Sequence, residues 1–257
     1  MKTLKVMATF TAGLLGIALQ PALAATFVVT TNADSGDGSL RWALTQAAAT
    51  PLTSDNINFN LPAGQLTISP LTNLPNVFYA IVDARTQPGY AGTPIVRLDG
   101  SSNASAPSQR GFSIGNNGLV AGFSIVNFRD YGIISIGSAT GIAGTVGCYV
   151  GVQPDGVTAG PNGIGIWVNG LQSVIGGVGA TFRNVISGNT NAGIDIWTSA
   201  SDIHVSNNYI GTTANGLAAL PNGTHGVHVR GTVNFIGDVN VDERNIISGN
   251  TGAGVYI

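Results

Sequence analysis

From residue 111 to the C-terminus the chain returns six times to one short phrase, a glycine followed by a run in which β-branched or aromatic residues alternate with other types. The copies are Gly111-Phe112-Ser113-Ile114, Gly132-Ile133-Ile134, Gly163-Ile164-Gly165-Ile166, Gly193-Ile194-Asp195-Ile196, Gly226-Val227-His228-Val229 and Gly254-Val255-Tyr256-Ile257. Alternation over so few residues, bounded by turn formers, reads as a strand. Further short strands fall between the copies, at 203–205, 208–211, 233–236 and 245–247, and no helical period separates them.

A longer repeat encloses these phrases. Arg183-Asn184-Val185-Ile186-Ser187-Gly188-Asn189-Thr190 returns 61 residues later as Arg244-Asn245-Ile246-Ile247-Ser248-Gly249-Asn250-Thr251. Tyr149-Val150-Gly151 and Pro161-Asn162-Gly163 likewise return as Tyr209-Ile210-Gly211 and Pro221-Asn222-Gly223. Strands this short, at this spacing, predict a solenoid with three strands per coil, each pairing with its equivalent about 4.8 Å away in the next coil. A sandwich need not repeat its sequence, and a propeller blade takes roughly 40–45 residues, unlike a unit of two similar halves. Asn189 and Asn250 fall at equivalent turns, where their amides would stack as a ladder or remain solvated turn formers.

Ahead of the repeats the pattern changes. Residues 26–30 read as a strand, and residues 32–38 as a turn rich in Asp and Gly. Ser39 is placed to cap a helix over 40–49, in which Leu40, Ala43, Leu44, Ala47 and Ala48 share one face and Pro51 follows. Ile57-Asn58-Phe59-Asn60-Leu61 alternates as the next strand. Such a helix would cover the open end of the solenoid core. The expected division is a leader at 1–24, an N-terminal cap of strand, helix and strand at 25–62, and a parallel β-helix at 63–257, open at its C-terminal end.

Composition narrows the function. Of 257 residues 37 are Gly and 9% are charged, far below the usual quarter of a globular domain. The glycines lack the period of three that collagen requires. Cys148 is the single cysteine, which excludes an intramolecular disulfide or a cysteine-based zinc site. Lys2 and Lys5 are the only lysines, and they precede an uncharged stretch that ends in Pro21-Ala22-Leu23-Ala24, the order of a secretory signal. Cleavage after Ala24 would leave 8 Arg against 12 acidic residues, a formal charge of −4, secreted to the exterior, the cell surface or the periplasm. That balance is poorly suited to nucleic acid. No later stretch is long and apolar enough to span a membrane.

Three segments carry a family resemblance. Asp34-Ser35-Gly36-Asp37-Gly38-Ser39-Leu40-Arg41 is similar to the N-terminal capping segment of bacterial secreted and surface proteins with right-handed parallel β-helix repeats, of the pectin-lyase-like superfamily. The stretch from Thr86-Gln87-Pro88-Gly89-Tyr90 to Arg97-Leu98-Asp99-Gly100-Ser101 resembles an early coil of that group, and the paired Asn-(Val/Ile)-Ile-Ser-Gly-Asn-Thr blocks resemble its repeats. The resemblance implies an all-β, right-handed single-stranded parallel β-helix with a short N-terminal capping strand and helix. The group includes adhesins, polysaccharide lyases, hydrolases and epimerases, so fold alone does not choose an activity. Its members usually run through more coils, whereas this chain stops within a strand. Missing coils or another chain would cover that edge.

With the β-branched residues of each phrase inward, Gly165, Asp195, His228 and Tyr256 form one outward column and Trp167, Trp197 and Arg230 the next. Two tryptophans in successive coils would make a flat aromatic strip suited to sugar rings, and the resemblance favours polysaccharide on such a face. The alternative packs Trp167 and Trp197 beneath loops. Asp195 and His228, adjacent in their column, are the candidates for acid and base chemistry, against a solvated cross-strand pair. The lyase and polygalacturonase patterns of clustered acidic residues are missing from the sequence. No cofactor is expected, since residues 32–39 lack the alternating ligands and distal Glu of a calcium loop. The leading expectation is an adhesin-like or structural surface module that binds a glycan through Trp167, Trp197, Arg230 and Tyr256. Enzymatic turnover on the same face, and a fragment of a longer surface protein without a function of its own, are the alternatives.

Overall fold

The computed structural model describes residues 23–257 except 51, 140 and 239. The expected leader, but for its last two residues, and Pro51 therefore lie outside the described residues. The chain is an all-β parallel β-helix solenoid in which three parallel sheets run side by side. The first sheet stacks Thr26–Val29, Asp55–Phe59, Ala80–Asp83, Leu119–Ala121, Ala143–Val146, Ser173–Gly176, His204–Ser206 and Phe235–Ile236. The second stacks Thr67–Ile68, Val96–Asp99, Phe123–Val126, Tyr149–Val150, Val185–Ile186, Tyr209–Ile210 and Ile246–Ile247. The third stacks Arg110–Ile114, Tyr131–Ser135, Ile164–Val168, Ile194–Ile196, Val227–Val229 and Val255–Tyr256. From Ala80 onward the chain visits first, second and third sheet in turn, giving the three strands per coil that the repeat predicts.

The predicted helix forms over Leu40–Ala48, with Ser39 Oγ accepting a 3.1 Å hydrogen bond from the Trp42 amide. Its buried face of Leu40, Ala43, Leu44 and Ala47 joins a core that contains Val29, Ile57 and Phe59. The strands flanking this helix are the first two rungs of the first sheet. Cap and solenoid therefore share one sheet, without a break at residue 62.

Each sheet contributes a straight inward column. In the second, Ile68, Leu98, Ile125, Val150, Ile186, Ile210 and Ile247 pair in sequence. In the third, Phe112, Ile133, Ile166, Ile194, Val227 and Val255 do so. Where the second sheet turns into the third, Asn162, Asn189, Asn222 and Asn250 form a ladder. Each side-chain amide donates to the oxygen of the next at 2.9–3.1 Å. Asn189 and Asn250 both belong to it but do not touch, because Asn222 of the intervening coil lies between them. A second ladder, Asn184, Asn208 and Asn245, turns the first sheet into the second.

Against the first ladder lies a column of glycines: 111, 132, 165, 193, 226 and 254. A Cβ on Gly193 would meet the Gly226 carbonyl and the Asn222 amide, each at 2.8 Å. None of these six has a positive φ. The requirement is for space, since side chain and backbone of neighbouring coils occupy the place of a methyl group.

Candidate functional site

The glycine column corrects the register read from sequence. Gly165, rather than Gly163, is the equivalent of Gly193: the Gly165 amide donates to the Ala192 carbonyl at 3.1 Å, and that of Ile166 to Gly193 at 2.9 Å. Ile166 therefore pairs with Ile194, Trp167 with Asp195 and Val168 with Ile196. Gly163 and Gly165 both precede an isoleucine, so the sequence offers two registers, and only the close approach of backbones selects one. The outward column of the third sheet becomes Ile134, Trp167, Asp195, His228 and Tyr256. Trp197 and Arg230 stand two residues farther on, just past the ends of their strands. The two tryptophans are thus diagonal neighbours and not members of one column.

They form a bent aromatic row in place of a flat strip. Tyr131 stacks on Trp167 with centroids 5.2 Å apart and planes 26° apart, while Trp167 meets Trp197 at 6.1 Å and 63°. Trp197 is 37% exposed and Trp167 half-buried, so neither lies wholly beneath a loop. The Arg230 guanidinium lies 4.2 Å from the centre of the Trp197 ring, a cation–π contact that fixes both side chains.

Arg230 also organises the polar groups. Its Nη2 donates to Asp195 Oδ2 at 2.6 Å and its Nε to His228 Nδ1 at 3.4 Å. The other carboxylate oxygen, Oδ1, lies 3.8 Å from His228 Nδ1, beyond hydrogen-bond reach, and is buried with no hydrogen-bond partner. Asp195 and His228 are neighbours, as the sequence suggests, but the partner of the carboxylate is Arg230. Burial pushes the Asp195 carboxyl above the usual carboxylate range, opposed by Arg230 and then His228. Burial, with help from Arg230 and His225, holds His228 below the ordinary histidine value against the pull of Asp195. The ring is therefore neutral at pH 7. Because Nδ1 accepts from Arg230, its proton resides on Nε2.

Beside this cluster a cleft of about 320 Å³ is lined by Asp195, His228, Arg230, Thr224, His225 and Asn191 among others. His225 stacks on Tyr256 at 4.5 Å with planes only 6° apart, and His228 meets the same ring edge-on at 5.1 Å. Tyr131 and His225 were not singled out from the sequence. Both stand immediately before the glycine of the repeated phrase, the position that could have revealed them.

The remaining candidates have structural partners. Asp34 Oδ1 accepts from Arg41 at 2.7 Å and from the Leu71 amide at 3.0 Å, so this carboxylate ties the 32–39 turn to its surroundings. Cys148 is fully buried, with Sγ 3.3 Å from the Val146 carbonyl, and burial pushes its thiol up to about 12. It is not a thiolate at neutral pH. Among the described residues, no group of three or more His, Cys, Asp or Glu side chains is arranged to hold a metal ion, and no helix is long and apolar enough to cross a membrane. Comparison with protein-family models and with curated proteins finds no match to this chain.

Proposed function

We propose that this is a secreted or cell-surface β-helix module, adhesin-like or structural, that binds polysaccharide along the outward face of its third sheet. The observation that carries the reading is the row Tyr131, Trp167 and Trp197, contributed by three successive coils and spaced at 5.2 and 6.1 Å. Aromatic faces receive the C–H faces of sugar rings, and Arg230, His228 and Thr224 supply hydrogen-bonding groups alongside. The charge, apolar run and small residues of positions 1–24 support export, and the segments similar to β-helix surface proteins agree with it.

Affinity electrophoresis through gels containing neutral or uronic-acid polysaccharides tests the reading. Trp167→Ala with Trp197→Ala is expected to weaken retention at least tenfold while leaving the melting temperature within a few degrees. Equal retention of parent and variant on every polymer overturns it.

Turnover on the same face is the second reading, and the carboxyl of Asp195 beside the imidazole of His228 in one cleft favours it, since such a pair can serve acid and base chemistry. Glycoside hydrolysis ordinarily uses two carboxyl groups roughly 5–9.5 Å apart, and Asp195 is the one carboxylate among the described residues lining the cleft. That chemistry supports binding over hydrolysis. Release of reducing ends or unsaturated products, abolished by Asp195→Asn, would reverse the preference.

A further inference from the structure

The outward face of the first sheet poses a different problem from the third. Its outward column pairs Ile81, Leu119, Gly144, Val174, His204 and Phe235 in order. Alternation on a solvated sheet face would place polar residues here. The second sheet meets the same problem with its own chain: the outward residues Tyr149, Val185 and Tyr209 are covered by Val152, Ala214 and Leu220 of the two repeated loops, forming a small second core. Among the described residues, Ile81, Leu119, Val174 and Phe235 of the first-sheet column join neither buried cluster. Phe235 is 45% exposed, with His204 stacked on it at 4.5 Å, and the flanking Ile142 and Val178 are 52% and 58% exposed.

Toward the C-terminal coils this column enters a groove of about 370 Å³, floored by Val174 and edged by Ile142 and Val178. Asp202 and His204 line it where the strands begin, Asp238 and Glu243 where they end. Its described lining carries three carboxylates and no Arg or Lys. Arg183 and Arg244 line another depression, where Arg183 lies over the Tyr209 ring at 4.5 Å and Arg244 donates to the Val241 carbonyl, and Arg244 shares a further depression with Asp238. The column spans six coils, about 24 Å at 4.8 Å per step, or roughly seven residues of extended chain.

We infer that this face docks an extended cationic peptide, with aliphatic side chains on the Leu119–Val174–Phe235 column and Lys or Arg ends against Asp202 and Glu243. The apolar column supplies contact area, and the carboxylates select against acidic segments. This interaction is independent of the polysaccharide face, which lies on another sheet.

Fluorescence anisotropy of the full chain, at physiological ionic strength, with labelled seven-residue peptides of alternating Leu and Lys or alternating Leu and Glu tests the inference. The Leu-Lys peptide should bind at least tenfold more tightly. Asp202→Asn with Glu243→Gln should weaken it about fivefold, and Val174→Lys should abolish it, both with melting temperatures near that of the parent. Trp167→Ala with Trp197→Ala should leave it unchanged, which separates this site from the glycan face. Equal binding of the two peptides, no binding at millimolar concentration, or loss in the tryptophan variant overturns the inference. So does a dimer in light scattering that Val174→Lys dissociates, because a second copy would then be the occupant.

Discussion

Two columns of side chains climb the solenoid close together, and they obey opposite rules. At the turn into the third sheet, every rung from Asn162 to Asn250 is the same residue, and the two inner amides, Asn189 and Asn222, both accept from and donate to their copies. On the outward face of that sheet the rungs are Trp167, Asp195, His228 and Tyr256, no two alike. A stack of identical groups satisfies itself and needs nothing from outside the chain. A stack of unlike groups must find its partners sideways, which is how Arg230 comes to hold Asp195, His228 and Trp197 at once. Uniform columns build the solenoid, and varied columns mark the faces on which it presents chemistry.

The severest test adds volume beside the uniform ladder. Gly193→Val should cost about 3 kcal/mol, lowering the melting temperature by roughly 6–12 °C, because the new side chain strikes the Gly226 carbonyl and the Asn222 amide. Thermal unfolding followed by circular dichroism measures it, and a variant as stable as the parent would show that the glycine column is not sterically required.

Chemistry can be altered in the ladder with shape preserved. Asn222 Nδ2 donates to the Ile186 carbonyl at 3.0 Å and to Asn250 Oδ1 at 2.9 Å. Asn222→Asp removes both donors and buries a charge beside two acceptors, for an expected loss of about 2–3 kcal/mol at pH 7. The contrast sharpens if Tyr256→Asn, in the varied column, changes stability by less than about 1 kcal/mol. Comparable losses at the two positions would erase the distinction between the columns.

Much of the uniform architecture is legible in the sequence because repetition is its physical basis. The glycine phrase, the 61-residue repeat and the Ser39-capped helix lead to three strands per coil and a covered N-terminal end. The ladder is only half legible: Asn189 and Asn250 match in sequence, but Asn162 and Asn222 sit in a different phrase, Pro-Asn-Gly, and spatial stacking alone joins the four. The varied column is harder still. Choosing Gly163 over Gly165 moves Trp167 by one alternating position, and a strand two residues out of register keeps its inside and outside, so alternation gives no warning. Arg230 as the common partner of Asp195, His228 and Trp197 depends on side-chain reach across coils, which linear spacing does not encode.

The smallest expected effect is in the pH response of the varied column. His228 has a folded value below its ordinary one, so between the two the unfolded chain binds more protons. Its contribution to stability is complete above about pH 6.5 and is lost as pH falls through that region. Asp195 has the opposite slope: its raised value favours the folded state at acid pH, and that advantage is lost as pH rises through the folded value. His228→Gln keeps a polar side chain near Arg230 but removes the first of these slopes. Melting temperatures between pH 7.5 and 5.5 should therefore fall less steeply in the variant, by no more than about 2 °C across the range. A steeper fall in the variant would mean that protonated His228 pairs favourably with Asp195 across the 3.8 Å gap, and that burial and Arg230 together do not hold the imidazole neutral.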